Sequence, residues 1–499
     1  MPAPRLKARV CRFLAAAFFL WAAAPWLAQA PALPPVSNAA ELLFHRALVQ
    51  ARTAPPPLDL YLREYVATEE LQSQPEEALA EFRSVFNVIP DIAAKDTEPT
   101  TLAARDYMQY RLAGGVLDAF LARRRWDESI SLARRYQPPR GYSKAGAYDP
   151  ILRAAVSFLP PDQQLSLIEE CSRSDGSFPF AGALALLRTG KLHPDQSQTV
   201  FTLGIRATAQ ATPVSTDLMV EFFEAALDDQ PQFASQVEDA AAALLRRLGS
   251  AQGRTRRNNA RAASGLFALL RRLDSAAAQR LAAAFPDLAA PPSPAASKLS
   301  MSASADGTAA FGPAPALTST DKLVDLSRSD PGAAMQAAQN LTDRPQKFAA
   351  LVAVAQVLAR TSPSLAVQAA DSANLLLDSD TLAASAGWPV TLALVFQHLG
   401  DHSHAEGVIT ECLDHLDDQA QHLSDIWDDR SGFDLASQWG GTELALIPIA
   451  TTYERAGLID PALALSHGDR IHSAVLSTVV LSRIAAGMAQ RDSAGMPLP

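Results

Sequence analysis

The sequence predicts an all-α protein in which antiparallel helical hairpins are stacked as an α-solenoid. Three observations indicate this class. Almost every segment places its apolar residues at helical spacing, no stretch alternates β-branched and polar residues between hairpin turns, and the periodic segments are short with short connections. The chain has 499 residues, of which 48% are hydrophobic and 19% charged. That composition excludes wholesale disorder and suits an array of hairpins that each bury one face.

The first segment, residues 1–32, has the pattern of a secretory signal peptide. Four basic residues precede an apolar stretch at 13–24, and Ala-x-Ala cleavage sites end at Ala30 and Ala32. Cleavage near Ala30 or Ala32 would lower the net charge from −10 to −14 and place the protein in the periplasm or outside the cell. The alternative is an uncleaved membrane anchor. Only seven of the 43 basic residues are lysine, a bias typical of a GC-rich bacterial coding sequence.

The next segment, residues 33–285, is predicted to be an N-terminal helical region, and residues 321–491 a C-terminal helical-repeat region. Helix starts are marked by a cap residue with Pro or an acid beside it, at 73–77, Asp149-Pro150, Asp330-Pro331, Ser362-Pro363 and Asp460-Pro461. Helix ends are marked by glycine, at Gly190, Gly249, Gly400 and Gly457.

Between these regions, residues 286–320 are rich in Pro, Ala, Ser and Gly and have almost no periodicity. Such a composition cannot bury enough apolar surface to order itself, which predicts a flexible, disordered linker. The last residues, 492–499, are predicted to form a disordered tail. The sequence leaves open how the two helical regions are placed relative to each other.

An internal repeat supports the solenoid. Residues 326–338 can be laid on residues 358–370, 32 positions further on. Residues 399–406 and 453–462 resemble the inter-helix turn of the tetratricopeptide superfamily, with Gly400 and Gly457 at the turn and Ala405 and Ala462 where the two helices pack. The resemblance covers about a quarter of the chain. It implies a stack of helical hairpins and binding to a peptide or protein; the alternative is a helical bundle without repeats.

The most unusual stretch is 424–443, which is predicted to interrupt the helical pattern with a long loop. It combines two Trp, one Phe and three Gly with acidic residues. A long aromatic loop is a candidate binding site, because Trp rings stack on sugars, cations or peptides while carboxylates supply polar contacts. The candidate ligand-binding residues are Trp427, Asp428, Asp429, Trp439 and Glu443. Alternatively, both Trp residues fill the end of the helical stack.

Other features carry weaker functional predictions. His398, His402 and His404 lie close together beside Asp401 and are weak candidates for metal ligands. Cys171 and Cys412 lie far apart in the sequence, and whether they pair is left open. Residues 246–280 have a net charge of +8 and residues 398–443 a net charge of −10. The basic stretch lacks interleaved aromatic residues, so no nucleic acid partner is expected.

The leading functional hypothesis is an exported, non-enzymatic helical-repeat protein that binds a protein or peptide partner through its concave face. No phosphate-binding loop, nucleophile elbow, zinc-protease or Cys-x-x-Cys motif is present, and no cofactor is expected. Two alternatives remain: an envelope enzyme acting on a glycan or polymer near Trp427 and Trp439, or a purely structural envelope protein. The sequence does not predict the oligomeric state.

Overall fold

The computed structural model describes residues 38–210, 216–250, 254–289, 317–384, 387–428 and 430–493. The predicted signal peptide at 1–32, positions 290–316 of the predicted linker and positions 494–499 of the predicted tail lie outside the described residues, whereas positions 492 and 493 of that tail belong to the last helix. In the described part of the chain every regular element is helical, with 25 α-helices and no strand. The all-α class is therefore confirmed.

In the N-terminal region, consecutive helices pack as hairpins, and helices two apart pack side by side. The helices are α1 (Asn38–Ala51), α2 (Leu58–Glu70), α3 (Pro75–Val88), α4 (Pro99–Ala122), α5 (Trp126–Arg135), α6 (Ala145–Ala155), α7 (Pro161–Asp175), α8 (Phe180–Leu187), α9 (Pro194–Gln210), α10 (Thr216–Asp229), α11 (Ala234–Ser250), α12 (Arg254–Leu273), α13 (Ser275–Ala284) and α14 (Pro286–Ala289). One layer contains α2, α4, α6, α8, α10 and α12, each in contact with the next. This alternation is the packing of an α-solenoid.

The C-terminal region continues the same arrangement. Its helices are α15 (Leu317–Ser329), α16 (Pro331–Gln339), α17 (Arg344–Leu358), α18 (Pro363–Asn374), α19 (Ser379–Ala384), α20 (Trp388–Leu399), α21 (His402–Asp428), α22 (Gly432–Ser437), α23 (Trp439–Ile459), α24 (Pro461–Gly468) and α25 (Ala474–Ser493). The α15–α16 hairpin packs on the α17–α18 hairpin, so the repeat detected in the sequence is a helical-hairpin repeat. Asp330 and Ser362, at equivalent positions of that repeat, are the N-caps of α16 and α18.

The two regions join through the helices next to the chain ends. The C-terminal helix α25 packs against α1 and α2, while it also packs against α23 in its own region. In space, the series therefore runs from α15 through α25 and then from α1 through α14. Both ends of the predicted linker, 286–320, are helical, since α14 and the first turn of α15 lie within it. These two helices stand at opposite ends of the series. We call the contact of α1 and α2 with α23 and α25 the seam.

Three local predictions are wrong in instructive ways. Pro150 lies inside α6 and does not mark its start. The helix begins at Ala145, where the backbone N–H groups of Lys144 and Ala145 donate hydrogen bonds to Asp175 and Ser177. Gly457 lies inside α23, because the helix continues to Ile459; a Cβ there would come within 2.6 Å of the Ile484 backbone oxygen. Its lack of a side chain thus allows α23 and α25 to pack closely.

The segment 424–443 is the third difference. It is helical over most of its length: α21 runs to Asp428, α22 follows at 432–437, and α23 begins at Trp439. The long loop expected there is absent from the described residues. Its aromatic side chains turn into the apolar core, and this burial favours helix over the turn tendency of its glycines.

The cap of α24 gives a first quantitative prediction. Asp460 Oδ1 accepts hydrogen bonds from the backbone N–H groups of Ala462 and Leu463, each at 3.0 Å. We expect Asp460→Ala to lower the free energy of unfolding by about 1 kcal/mol in urea denaturation, because these N–H groups lose their acceptor. Asp460→Asn keeps an acceptor and is the matched control. An equal loss in both variants would contradict the capping role.

Two further findings concern membrane spans and the cysteines. No described helix is long and apolar enough to cross a membrane. Cys171 and Cys412 are both free and buried. Burial raises the pKa of each thiol to about 12, so both behave as small apolar core residues.

Candidate functional site

The two tryptophans of the predicted site are core residues. Trp427 is 5% exposed and Trp439 is 3% exposed, so neither offers a ring face to a ligand in solvent. The Trp439 ring packs against Tyr61 of α2, with 5.7 Å between ring centroids. The indole at the start of α23 therefore contributes to the seam.

The acidic residues of the predicted site are Asp428, Asp429 and Glu443. Asp428 is the last residue of α21, and Asp429 lies outside the described residues. Glu443, on α23, is 42% exposed and forms an ion pair with Arg111 of α4, with 3.2 Å between Oε2 and Nη2. The structure thus places Glu443, one helical turn after Trp439, at the edge of a cavity in the N-terminal region.

That cavity lies between α2, α4 and α6 and has a volume of about 410 Å³. We call it the polar chamber, since its wall combines acidic, basic and phenolic groups: Glu64, Tyr107, Tyr110, Arg111, Asp118, Tyr136 and Arg153. A cavity of this size with converging polar groups is the usual form of a ligand site.

A second cavity of about 760 Å³ adjoins the first. We call it the apolar chamber, because most of its own lining is apolar: Leu71, Phe82, Ala119, Leu121, Ala122 and Ala154. The two chambers share Glu64, Gly115, Asp118, Pro150 and Arg153. Together they offer a polar subsite beside an apolar one.

Two consecutive glycines in the middle of α4 make room for the polar chamber. A glycine inside a helix destabilises that helix by about 1 kcal/mol relative to alanine. Two adjacent glycines are therefore expected where the space beside them is used by another group. At Gly115 a Cβ would overlap Oε1 of Glu64, whereas a Cβ at Gly114 would meet no atom within 4 Å. Gly115 therefore lets the Glu64 side chain lie against the helix backbone, and Gly114 leaves open space in the chamber.

Glu64 dominates the electrostatics of the polar chamber. Its side chain is 13% exposed, and its ion pair with Arg111 is long, with 3.7 Å between Oε2 and Nη1. Burial raises the pKa of Glu64 to about 8; Arg111 opposes that rise, whereas Glu443 and Asp118 add to it. Burial also raises the pKa of Asp118, against the pull of Arg153. Perturbed carboxyl groups in a cavity are typical of functional sites.

The aromatic residues of the chamber are held in place by stacking. The Tyr110 ring stacks on Tyr142 with 4.3 Å between centroids. The guanidinium of Arg111 lies 5.1 Å from the centroid of the Tyr61 ring, so this cation is engaged on two sides. Tyr136 is 4% exposed, and its buried hydroxyl has no hydrogen-bond partner among the described residues.

Exposed apolar side chains lie on both helices that the Arg111–Glu443 ion pair joins. Tyr107, one helical turn before Arg111, is 50% exposed. On α23, Ile447 lies one turn after Glu443 and is 51% exposed, and its neighbour Leu444 is 58% exposed. Because Arg111 and Glu443 touch, these side chains lie on either side of the same ion pair. Clustered apolar exposure of this kind is typical of a binding surface.

The three candidate metal ligands are not brought together. His402 Nδ1 is 2.8 Å from Gln397 Oε1, and His404 Nδ1 is 2.7 Å from Asp401 Oδ2, so both interact within their own turn. His398 is an exposed residue in the last turn of α20. In the part of the chain that the structure describes, the group with metal-ligand spacing is a different one: Asp414, Asp417 and His467. Arg470 already donates to Asp417 there, at 2.9 Å.

Sequence reasoning missed the chamber residues of α2, α4 and α6. A signal was present, since Tyr107, Arg111, Gly114 and Asp118 follow helical spacing and surround an adjacent glycine pair. Glu443 and Arg111 are 332 positions apart, a separation that no local pattern connects.

Comparison with protein-family models and with curated proteins finds no match. Among solved structures, the chain is similar to a circular tandem repeat protein with novel repeat topology and enhanced subunit contact surfaces. The identity is 12%, the TM-score is 0.15, and the alignment covers 91% of this chain and 98% of that one. A similarity with a TM-score this low carries no conclusion about the function of this chain.

Proposed function

We propose that this chain is an exported, non-enzymatic helical-repeat scaffold that binds an extended peptide segment of a partner protein. The peptide would cross the surface formed by α4 and α23, with its side chains entering the polar and apolar chambers. The carrying observation is that Tyr107, Leu444 and Ile447 are exposed on the two helices joined by the Arg111–Glu443 ion pair, and that Tyr107 and Arg111 line the polar chamber. Exposed aromatic and aliphatic side chains next to pockets are what peptide recognition uses.

Export is supported by the basic, apolar and small-residue order of residues 1–32. Binding without catalysis is supported by the lack of a catalytic motif in the sequence and by the resemblance of the turn at 399–406 to tetratricopeptide repeats. The burial of Trp427 and Trp439 leaves a glycan-cleaving site at those rings without a supporting observation.

The test is a displayed peptide library screened against the secreted chain, followed by affinity measurements on the retained peptides. We expect Tyr107→Ala and Ile447→Ala each to weaken binding by about tenfold or more, since large side chains at the centre of an interface dominate affinity.

Leu375→Ala is the matched control. Leu375 is 83% exposed and follows α18, remote in sequence from both helices of the proposed surface. Its removal is expected to leave the affinity unchanged. Retained peptides that bind all three variants as tightly as the wild type, or a library from which no peptide is retained, would overturn the proposal.

A further inference from the structure

Glu64, on the wall of the polar chamber, lacks the hydrogen-bond donors that a largely buried carboxyl group normally has. Its carboxyl accepts no hydrogen bond from any described residue, and the Arg111 guanidinium is 3.7 Å away. Buried carboxylates are normally paired and hydrogen-bonded, because the loss of water is otherwise costly. We propose that the polar chamber is a pocket for a basic side chain, lysine or arginine, of the bound peptide. This inference rests on the proposed function.

Tyr136 gives a second, independent indication of a ligand. Its side chain is almost fully buried, it forms part of the chamber wall, and its hydroxyl has no partner among the described residues. A buried hydroxyl without a hydrogen-bond partner is less favourable than a paired one. A ligand N–H group in the chamber would give Glu64 the donor that it lacks, beside the unpaired Tyr136.

The tyrosine rings of the chamber wall also favour a positively charged ligand. Tyr107, Tyr110 and Tyr136 all line the chamber, and the face of an aromatic ring attracts cations. An ammonium or guanidinium group among such rings and beside Glu64 favours the ionised form of that carboxyl group and is stabilised by both interactions. An anionic side chain would meet Asp118 and the negative faces of the rings.

The two arginines of the wall do not reverse this preference. Arg111 is paired with Glu443 and lies over the Tyr61 ring; its Nη1, 3.7 Å from Glu64 Oε2, has no hydrogen-bond partner among the described residues, but it is shielded from solvent and hence from a ligand in the chamber. Arg153 is exposed, so water solvates its guanidinium, and its charge acts on Asp118. Glu64 is therefore the acceptor of the chamber wall that lacks a hydrogen-bond donor.

The apolar chamber defines a suitable probe. Because the chambers share a wall, a basic residue in one places a neighbouring residue of the peptide in the other. The probes are N-acetylated, C-amidated pentapeptides of the form Ala-Leu-X-Leu-Ala, where X is arginine, citrulline or glutamate. Citrulline keeps the shape of arginine without its charge, so the comparison isolates the cation. Affinities are measured by calorimetry on the secreted chain.

We expect the arginine peptide to bind about tenfold or more tightly than the citrulline peptide, with the glutamate peptide weakest. Glu64→Gln is expected to remove most of the difference between arginine and citrulline. Glu411→Gln, an exposed substitution on α21 that changes the net charge equally, is expected to preserve it. Gly114→Ala fills open space in the chamber, so it should weaken the arginine peptide while the helix becomes more stable.

Equal affinity of the arginine and citrulline peptides, or tightest binding of the glutamate peptide, would overturn this inference and leave the proposed function standing. The same holds if no pentapeptide binds while library peptides bind in a Tyr107-dependent way. If neither the pentapeptides nor any library peptide binds, the proposed function itself fails, and the inference fails with it.

Discussion

Replacing Arg483 by methionine is expected to lower the free energy of unfolding by about 3–5 kcal/mol, because a buried cation at the seam is lost. Arg483 of α25 donates to the Tyr65 hydroxyl at 2.7 Å and to Glu454 at 3.0 Å, and it pairs with Glu69 at 3.0 Å. Both glutamates are 15% exposed. Methionine would leave their two carboxyl groups shielded from water without the cation that they share.

The control is Arg173→Met, because Arg173 is 73% exposed and pairs only with a carboxylate on its own helix at 3.7 Å. Surface pairs of this kind contribute about 0–1 kcal/mol, so the expected change is small. Arg483→Lys keeps the charge and should recover part of the stability. Urea midpoints of Arg483→Met and Arg173→Met that agree would contradict a stabilising role of Arg483 at the seam.

The same residue tests whether the seam holds the two regions together. A protease site inserted between positions 290 and 316 allows the linker of the folded chain to be cut. We expect the cut wild-type protein to elute as one complex in gel filtration, since α25 packs against α1 and α2. The cut Arg483→Met variant should separate at a lower urea concentration.

Much of the fold could be predicted from the sequence, because its determinants are local. Apolar spacing fixes a helix within one or two turns, and Asp330, Ser362 and Asp460 followed by Pro mark starts that the structure confirms. The predicted helix start at Pro150 and helix end at Gly457 are wrong for the same reason. Their roles depend on partners from other helices, so a cap pattern alone does not determine whether a helix begins or ends there.

Of the candidate site, only Glu443, at one edge of the polar chamber, could be predicted from the sequence. The acidic, aromatic composition of 424–443 led to Glu443, which does touch the polar chamber through Arg111. The same composition left two alternatives for Trp427 and Trp439, since an aromatic ring serves a core as well as a ligand. Glu64 and Asp118 acquire their significance from burial, and Glu64 also from the charges of Asp118 and Glu443; these surroundings appear only once α2, α4 and α23 are packed.

Replacing Glu64 by glutamine is expected to make the protein more stable at alkaline pH and to flatten its pH dependence. Burial raises the pKa of Glu64 from 4.5 to about 8, so the folded chain holds a proton that the unfolded chain releases. The stability due to this proton is fully present below pH 4.5 and is lost as the pH rises through 8. Glutamine keeps the shape of the neutral acid and does not titrate.

The advantage of Glu64→Gln should therefore grow from near zero at acidic pH to on the order of 2–4 kcal/mol above pH 8. Chemical denaturation at several pH values measures it. A slope remains in the variant, because burial also raises the pKa of Glu69 and Glu70 to about 7. Glu411→Gln should follow the wild type throughout. If Glu64→Gln lost stability at every pH, the ionised carboxylate would be the form that the fold requires. The chamber would then hold its negative charge before any peptide arrives.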